Sequence, residues 1–389
     1  MKQPYRILVV DDEPDLEPLI KLRMRRKVRS GVYSFEFAQN GVEALEILER
    51  HQDIDMVVTD ISMPQMDGLT LLQEIPDVAG DDLRCVVVSA YGDMKNIRTA
   101  MNRGAFDFIT KPVDFDDLNV TIERSLEHLE QWREAAAARD KLVAIQNELQ
   151  VAHSTQQSIL PKVFPRNSDY QVFGHMEPAR NVGGDFYDVI RLPDNQVGLA
   201  IADVSDKGVP AALFMMSSRT LLKGAAIGTI EPGQALGEVN KLLYEENEAL
   251  MFVTVLYSIY DPATGKLTYS NGGHDAPLLV RPDGSSELLP LTNGVALGIA
   301  PDVEFSSNSI HLEPGDAVLL YTDGVTEAMN SKGEQFGVGR MHDVFAASPP
   351  KDSEQAAQAM FEAVREFVDD AQQFDDITCL ALHRSEKES

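Results

Sequence analysis

From Asp114 to Leu160 the sequence contains neither glycine nor proline, and the break comes only at Pro161. Removing both helix breakers over that distance predicts one uninterrupted helix. Leu118, Ile122, Leu129, Ala136 and Val143 follow a four-then-seven spacing, and Leu142, Ile145, Leu149, Ala152 and Ile159 then take up a shifted seam. Such stripes describe a coiled coil with a stutter. The alternative is a single helix packed on a domain, but the alanine-rich middle has no obvious domain to pack on. A connector that pairs two copies of the chain is therefore the favoured reading. A helix of this length also partitions the chain. Residues 1–125 and 161–389 must fold around separate cores, with the helix of 114–160 overlapping the end of the first.

The chain of 389 residues is long enough for two or three cores, and its apolar fraction of 43% and charged fraction of 25% are ordinary for a globular protein. Its net charge of −28 is not ordinary. Nucleic acids are held mainly by lysine and arginine on phosphates, so an acidic chain without a basic recognition helix is not expected to bind them. Clustered carboxylates suit hard divalent cations instead. No apolar run approaches the length of a membrane span and no signal peptide opens the sequence, so a cytoplasmic protein with no membrane partner is expected. Cys85 ("LRCVVVS") and Cys379 ("ITCLAL") read as buried small hydrophobes.

In residues 5–125, "RILVV" (6–10), "MVVTD" (56–60), "CVVVSA" (85–90) and "FDFIT" (106–110) alternate with helical segments such as 41–51 and 94–104. Continuous apolar runs are strands covered on both faces, and strand alternating with helix means a parallel, doubly wound α/β sheet. Sites in such sheets lie at the carboxyl ends of the strands. There the sequence places Asp11 and Asp12, Asp60, Ser89 and Lys111. Crowded carboxylates repel unless a divalent cation and the lysine offset them, which suits Mg²⁺ and an incoming phosphoryl group. Asp60 would be the nucleophile that becomes an aspartyl phosphate, with Ser89 hydrogen-bonding the phosphoryl group and Lys111 pairing with its charge.

The motifs "VVDDE", "DISMPQMDG", "VVVSA" and "FITKP" resemble the flavodoxin-like receiver domain of two-component response regulators. The resemblance implies that Asp60 accepts a phosphoryl group from a sensor histidine kinase or phosphotransfer protein. It also implies that Asp12, Asp60 and the Ser62 carbonyl hold Mg²⁺, with Asp11 acting through water, and that Phe108 moves with Ser89.

After Pro161, short strands such as 196–205, 252–261, 316–324 and 376–382 surround helices near 210–226, 233–247 and 353–370, an α+β pattern. Four aspartates sit at strand ends: Asp185 in "GGDFYD", Asp203 in "IADVSDKG", Asp323 in "LLYTDG" and Asp375 in "FDDIT". Carboxylates gathered in a partly buried place must be paired or bound to metal. No lysine-rich segment flanks them and no histidine cluster favours zinc, so an all-oxygen set points to Mg²⁺ or Mn²⁺. Two such ions would lower the pKa of a bridging water and clamp a phosphoryl group for attack without a side-chain nucleophile.

"QQSILPKVFP", "GGDFYD", "IADVSDKGVPAALFMM", "NGGHDAPLL", "GVALGI", "LLYTDGVTEA" and "DDITCLAL" resemble the metal-dependent protein phosphatases of the PPM family, in the bacterial subclass typified by SpoIIE. That resemblance implies a β-sandwich flanked by helices and a phosphoserine or phosphothreonine protein phosphatase holding two Mn²⁺ or Mg²⁺ ions. Asp203 would bridge the ions, the Val204 carbonyl, Asp323 and Asp375 would complete the contacts, and Asp185 would join directly or through water. Asn271 and His274 of "NGGH" are either contacts to substrate or a turn asparagine and a structural histidine, whereas Asp188 reads as structural. Asp206 stands where the family more often has glycine. The implied substrate is a phosphorylated STAS-domain anti-sigma factor antagonist in a stress pathway. The alternative is a non-enzymatic adaptor of the RssB type, which has the same layout without the metal ligands and binds a sigma factor or its regulator. The presence of all four aspartates favours the enzyme.

Overall fold

The computed structural model describes residues 3–79, 83–90, 92–229, 231–245 and 247–386, and the chain forms two compact units, 1–144 and 145–389. The first unit begins β1 (Tyr5–Val10), α1 (Leu16–Arg23), α2 (Arg25–Arg29), β2 (Tyr33–Ala38), α3 (Gly41–Arg50) and β3 (Met56–Asp60). It continues with α4 (Gly68–Ala79), β4 (Arg84–Ala90), α5 (Met94–Asn102) and β5 (Asp107–Lys111). The strands pair in parallel in the order β2-β1-β3-β4-β5.

β1, β3 and β4 are continuous apolar runs because they are buried on both faces, with side chains alternating between two cores, whereas the edge strands β2 and β5 are only partly covered. Leu8, Val10, Val57, Cys85 and Val87 meet α3 and α4 through Ala44, Leu48, Leu71 and Ile75. Ile7, Val9, Met56, Val58, Val86 and Val88 face the opposite layer, which includes Ile20 of α1.

A single helix, α6 (Phe115–Ile159), follows. Its first apolar positions are not an exposed seam. Leu118, Ile122, Leu126 and Leu129 are buried in the core of the first unit, so this part of the stripe packs on the sheet. Val120 and Trp132 are exposed on the same helix, but the cluster of exposed apolar residues comes later, at Leu142, Val143, Ile145 and Val151. No described helix is long and apolar enough to cross a membrane.

The second unit runs through β6 (Tyr170–Glu177), β7 (Phe186–Arg191), β8 (Val197–Val204), α7 (Val209–Gly228), α8 (Pro232–Glu245), β9 (Val253–Asp261) and β10 (Lys266–Gly272). The short strands β11 (Leu278–Val280), β12 (Ser286–Leu288) and β13 (Ser307–His311) come next. It closes with β14 (Ala317–Tyr321), α9 (Asp323–Thr326), α10 (Gly337–Ala347), α11 (Ser353–Val368) and β15 (Ile377–Arg384). Two antiparallel sheets result, β13-β10-β9-β8-β7 and β12-β11-β14-β15-β6. Leu199, Ile201, Leu256 and Tyr260 of one sheet share a core with Val172, Val318, Leu320, Leu380 and Leu382 of the other. The alternate residues Leu319, Tyr321, Ile377, Cys379 and Ala381 turn away and pack on Met341, Phe345, Met360 and Phe361 of α10 and α11. The second unit is thus a β-sandwich flanked by helices.

Asp188, on β7, is 2% exposed and its Oδ2 lies 2.9 Å from Arg219 of α7. Removing one partner of a buried pair strands the other charge in low dielectric. Arg219→Ala is expected to lower unfolding stability by about 3–5 kcal/mol, read by denaturant titration.

Candidate active and phosphoacceptor sites

In the first unit, four parallel strands deliver polar groups to one edge of the sheet. Asp11 and Asp12 follow β1, Asp60 ends β3, Ser89 lies near the end of β4, and Lys111 ends β5. One carboxylate oxygen from each of Asp11, Asp12 and Asp60 falls within 4.8 Å of the others. Asp11 and Asp60 are buried and Asp12 is exposed. Burial raises the Asp11 carboxyl above its ordinary value, against the bond from the Glu13 amide and the charge of Lys111. Lys111 Nζ reaches Asp60 Oδ2 at 2.8 Å, Glu13 at 2.9 Å and Asp11 at 3.2 Å. Its burial works to lower its pKa, but the bonds to Asp60 and Glu13 outweigh that and raise it.

Ser89 is 1% exposed, and its Oγ has no hydrogen-bond partner among the described residues. Ser62 and Phe108 are exposed, Phe108 at 39%. Gly68 could not be replaced without disturbance, because a Cβ there would run into the Asp60 carbonyl. Its bareness lets the loop after β3 fold back against the strand end.

In the second unit the four aspartates arrive on separate elements. Asp185 precedes β7, Asp203 is near the end of β8, Asp323 opens α9, and Asp375 precedes β15. Asp185 is 1% exposed, and its Oδ2 accepts hydrogen bonds from Thr322 at 2.7 Å and Thr378 at 2.6 Å. Burial, then the charges of Asp203 and Asp376, push its carboxyl well above the usual range. Asp203 is pushed up to about 7 by burial and then by Asp323, with Asp375 adding to the effect and a hydrogen bond with Asp185 opposing it. Asp323 is pushed up to about 6 by burial, with Asp375, Glu327 and Asp275 adding to it. These groups feel one another. They form one electrostatic cluster assembled from distant parts of the chain.

The glycines of "GGD" have distinct tasks. A Cβ on Gly184 would lie 2.9 Å from the Val204 carbonyl oxygen, and one on Gly183 would strike the Asp376 carboxylate. Asp376, beside the Asp375 singled out from the sequence, turns inward. Its Oδ1 accepts from the Ala179 amide at 2.8 Å, and its Oδ2 accepts from the amides of Gly184 at 2.8 Å and Asp185 at 3.4 Å. The loop is gripped from its other side by the last turns of α6. There Gln156, 2% exposed, donates to the Gly183 carbonyl at 2.7 Å and accepts from its amide at 3.1 Å.

One lysine does reach the cluster. Lys207, within "DVSDKG" itself, pairs with Asp375 Oδ2 at 2.8 Å and donates to the Phe374 carbonyl at 2.8 Å. Its neighbour Asp206 adopts φ +68°, a left-handed conformation that aspartate tolerates better than most residues.

Asn271 and His274 are 3% and 5% exposed. Asn271 Oδ1 accepts from the His274 amide at 2.9 Å, His274 Nδ1 lies 2.9 Å from Thr254 Oγ1, and Nε2 lies 3.1 Å from the Tyr321 carbonyl. Nε2 donates to that carbonyl and leaves Nδ1 facing Thr254 Oγ1, which also lies 3.3 Å from the Asp203 carbonyl. Burial lowers its pKa to about 4, against the Tyr321 bond. An unfolded histidine near 6.5 takes up its proton first, so the stability from the neutral ring is complete above pH 6.5 and is lost as pH falls toward 4. The wild type should lose roughly 3 kcal/mol over that interval that His274→Gln does not, checked by denaturant unfolding from pH 7 to pH 4.

Residues 7–123 match the response regulator receiver domain, and residues 193–385 match Stage II sporulation protein E (SpoIIE). Asp203, Asp323 and Asp375 fall inside the second match and Asp185 just before it. The protein IcfG of Synechocystis sp. is 31% identical over 265 residues, 61% of this chain and 42% of its own length. Phosphoserine phosphatase RsbU of Bacillus subtilis is 28% identical over 219 residues, 56% of this chain and 65% of its own. The chain thus spans less than two thirds of either relative. The solved structure of the SiaA-PP2C domain of Pseudomonas aeruginosa is 27% identical with a TM-score of 0.54, covering 64% of this chain and 100% of that one. A parallel sheet ending in acidic residues and a lysine thus lies in the part of the chain that matches the response regulator receiver domain, and a two-sheet sandwich collecting four aspartates carries the part that matches SpoIIE.

Proposed function

We propose that the chain is a response regulator whose output is a metal-dependent phosphoserine or phosphothreonine protein phosphatase. The observation that carries this reading is the gathering of Asp185, Asp203, Asp323 and Asp375 around one partly buried place, with Lys207 as the only cation that the described contacts bring to these four carboxylates. The residues fit a hard divalent ion. All donors are oxygens, burial raises the carboxyl pKa values of Asp185, Asp203 and Asp323, and Gly184 keeps a side chain off the Val204 carbonyl. Asp203, Asp323, Asp375 and that carbonyl would hold two Mn²⁺ or Mg²⁺ ions, with Asp185 behind Asp203. Bound there, the ions would supply Lewis-acid stabilisation to a phosphoryl group and acidify the attacking water. Thr322 and Thr378 fix the Asp185 carboxylate, and Asp376 and Gln156 fix the loop that carries it.

In the receiver, Asp60 is the phosphoryl acceptor. Asp11, Asp12, Asp60 and the Ser62 carbonyl would hold Mg²⁺, which offsets the charge of the incoming group. Lys111 pairs with the acceptor, and the unpartnered Ser89 hydroxyl is available to the product phosphate. The phosphoryl donor is a sensor histidine kinase or phosphotransfer protein. Phosphorylation shifts the receiver between two states, and α6 carries the change to the Asp185 loop through Gln156. Exposed Leu142, Val143, Ile145 and Val151 support pairing of two copies along α6, and the substrate is a phosphorylated STAS-domain anti-sigma factor antagonist.

The test is release of phosphate from a phosphorylated STAS protein in Mn²⁺, with and without beryllofluoride. Activity should respond to beryllofluoride and fall by about 100-fold or more in Asp203→Asn and Asp323→Asn. Full activity in both variants would end the proposal. Gln156→Ala should raise the Mn²⁺ concentration needed for half-maximal activity by about tenfold, as for residues that hold a metal ligand's support in place. Phosphorylation of Asp60 by acetyl phosphate should be unchanged in that variant.

A further inference from the structure

A cleft of about 450 Å³ opens beside Asp375, in the second unit, between α11, the segment that follows it and the residues after Asp323. Its floor is apolar, formed by Ala328, Val364, Val368 and Ile377. Its rim is acidic. Glu177, Glu327, Asp369 and Asp375 line it; Glu177 is paired with Arg365 and Asp375 with Lys207, which leaves Glu327 and Asp369 facing the cleft.

Three further observations mark this cleft as a place where something docks. Phe374, directly before Asp375, is 76% exposed, and Met329 on the same cleft is 42% exposed. Large apolar side chains held in water beside a reaction centre are anchors that become buried when a partner arrives. Lys207 sits 4.7 Å from the Phe374 ring centroid and holds that ring in place. Asp369, where α11 ends, has φ +53° and ψ −122°, a conformation suited to glycine that an aspartate adopts only with strain. The Gln373 amide group donates to the carbonyls of Glu177 at 2.9 Å and Asp375 at 2.8 Å, so the mouth of the cleft is tied to the aspartate.

We infer that this cleft receives a lysine or arginine side chain near the phosphorylated residue of a protein substrate. The methylene stem lies on the apolar floor beneath Phe374, and the cation meets Glu327 and Asp369. Acidic side chains at that position of the substrate are repelled. The inference rests on the phosphatase reading and deepens it, assigning substrate selection to residues that touch no metal.

The full chain is titrated by fluorescence anisotropy against labelled peptides carrying a non-hydrolysable phosphonate analogue of phosphoserine. A single lysine or glutamate is moved through the three positions on either side of the analogue. At one or more positions the lysine peptide should bind about tenfold more tightly than its glutamate counterpart. Asp369→Gly and Glu327→Gln should each reduce that ratio to about twofold or less. Because glycine relieves the backbone strain at 369, the Asp369→Gly protein should keep or raise its thermal midpoint, which separates lost selectivity from lost folding. Equal binding of lysine and glutamate peptides at every position overturns the inference, and so does a preference that survives Asp369→Gly combined with Glu327→Gln. A fall in sedimentation mass for unliganded Phe374→Ala would show the cleft covered by a second copy and would equally overturn it. Hydrolysis of p-nitrophenyl phosphate in Mn²⁺ is measured alongside. Its absence with the lysine preference intact overturns the phosphatase reading and leaves the cleft's assignment standing.

Discussion

Like charges brought together out of water are the constraint around which both units are built. Two carboxylates at close range in low dielectric repel by several kcal/mol, so each must be given something to hold. The receiver answers with one long side chain. Lys111 spans three acidic groups at once, and its own burial is tolerated only because they surround it. The second unit answers differently. Hydroxyls and backbone amides support its deepest carboxylates, Thr322 and Thr378 for Asp185 and three amides for Asp376, with a lysine only at the rim. Neutral donors hold a carboxylate without cancelling its charge, so the cluster keeps its appetite for a cation. The receiver's lysine, in contrast, already satisfies much of its own.

These two solutions also differ in how rigidly they are framed. In the parallel sheet every polar group sits at the end of a strand whose neighbours are buried on both faces, and the strand ends fix the spacing. In the sandwich Asp203 lies near the end of a strand and Asp323 opens a short helix, but Asp185 and Asp375 lie on the loops before β7 and β15, where spacing must be supplied by contacts. That explains why the Asp185 loop is held from two sides, by Asp376 and by Gln156, and why bare glycines stand at its closest approaches. The contact from Gln156 also ties α6, the helix that starts just after Lys111, to this loop.

Much of this was legible in the sequence, for a physical reason. Strands buried on both faces read as unbroken apolar runs, so β1, β3, β4, β8, β9, β14 and β15 stand out and bring most of the aspartates with them, while Lys111 ends the edge strand β5. Edge strands are less visible. β2 ("YSFEFA") and β6 ("YQVFGHME") mix polar and apolar residues, and β12 and β13 are short and polar. The helical stripe was half misleading, because Leu118 to Leu129 belong to the sheet's core while only the later positions are open. In the site, the sequence pointed to the aspartates but not to what positions them. Which of the adjacent Asp375 and Asp376 turns inward is decided by the turn before β15. That Lys207 swings onto Asp375, or that Thr322 and Thr378 converge on Asp185, depends on contacts between residues far apart in the chain. Asn271 and His274 carried no sign of their depth; both are sealed beneath the surface by bonds to their neighbours.

Asp376 joins the two ends of the sandwich domain. Its partners Ala179 and Gly184 lie 197 and 192 positions earlier in the chain, and β15, which follows it, pairs along its length with β6. Contacts of such separation are the last to be reached as a polypeptide emerges from the ribosome and the slowest to close in folding. The Asp185 loop therefore lacks its Asp376 support until the residues before β15 have been made. A nascent chain can complete its receiver, and fold most of the sandwich, before Asp375 and Asp376 join the acidic cluster. Under the proposed function, any chemistry at that cluster waits for β15 and the turn before it, so the order of synthesis sets when it can begin.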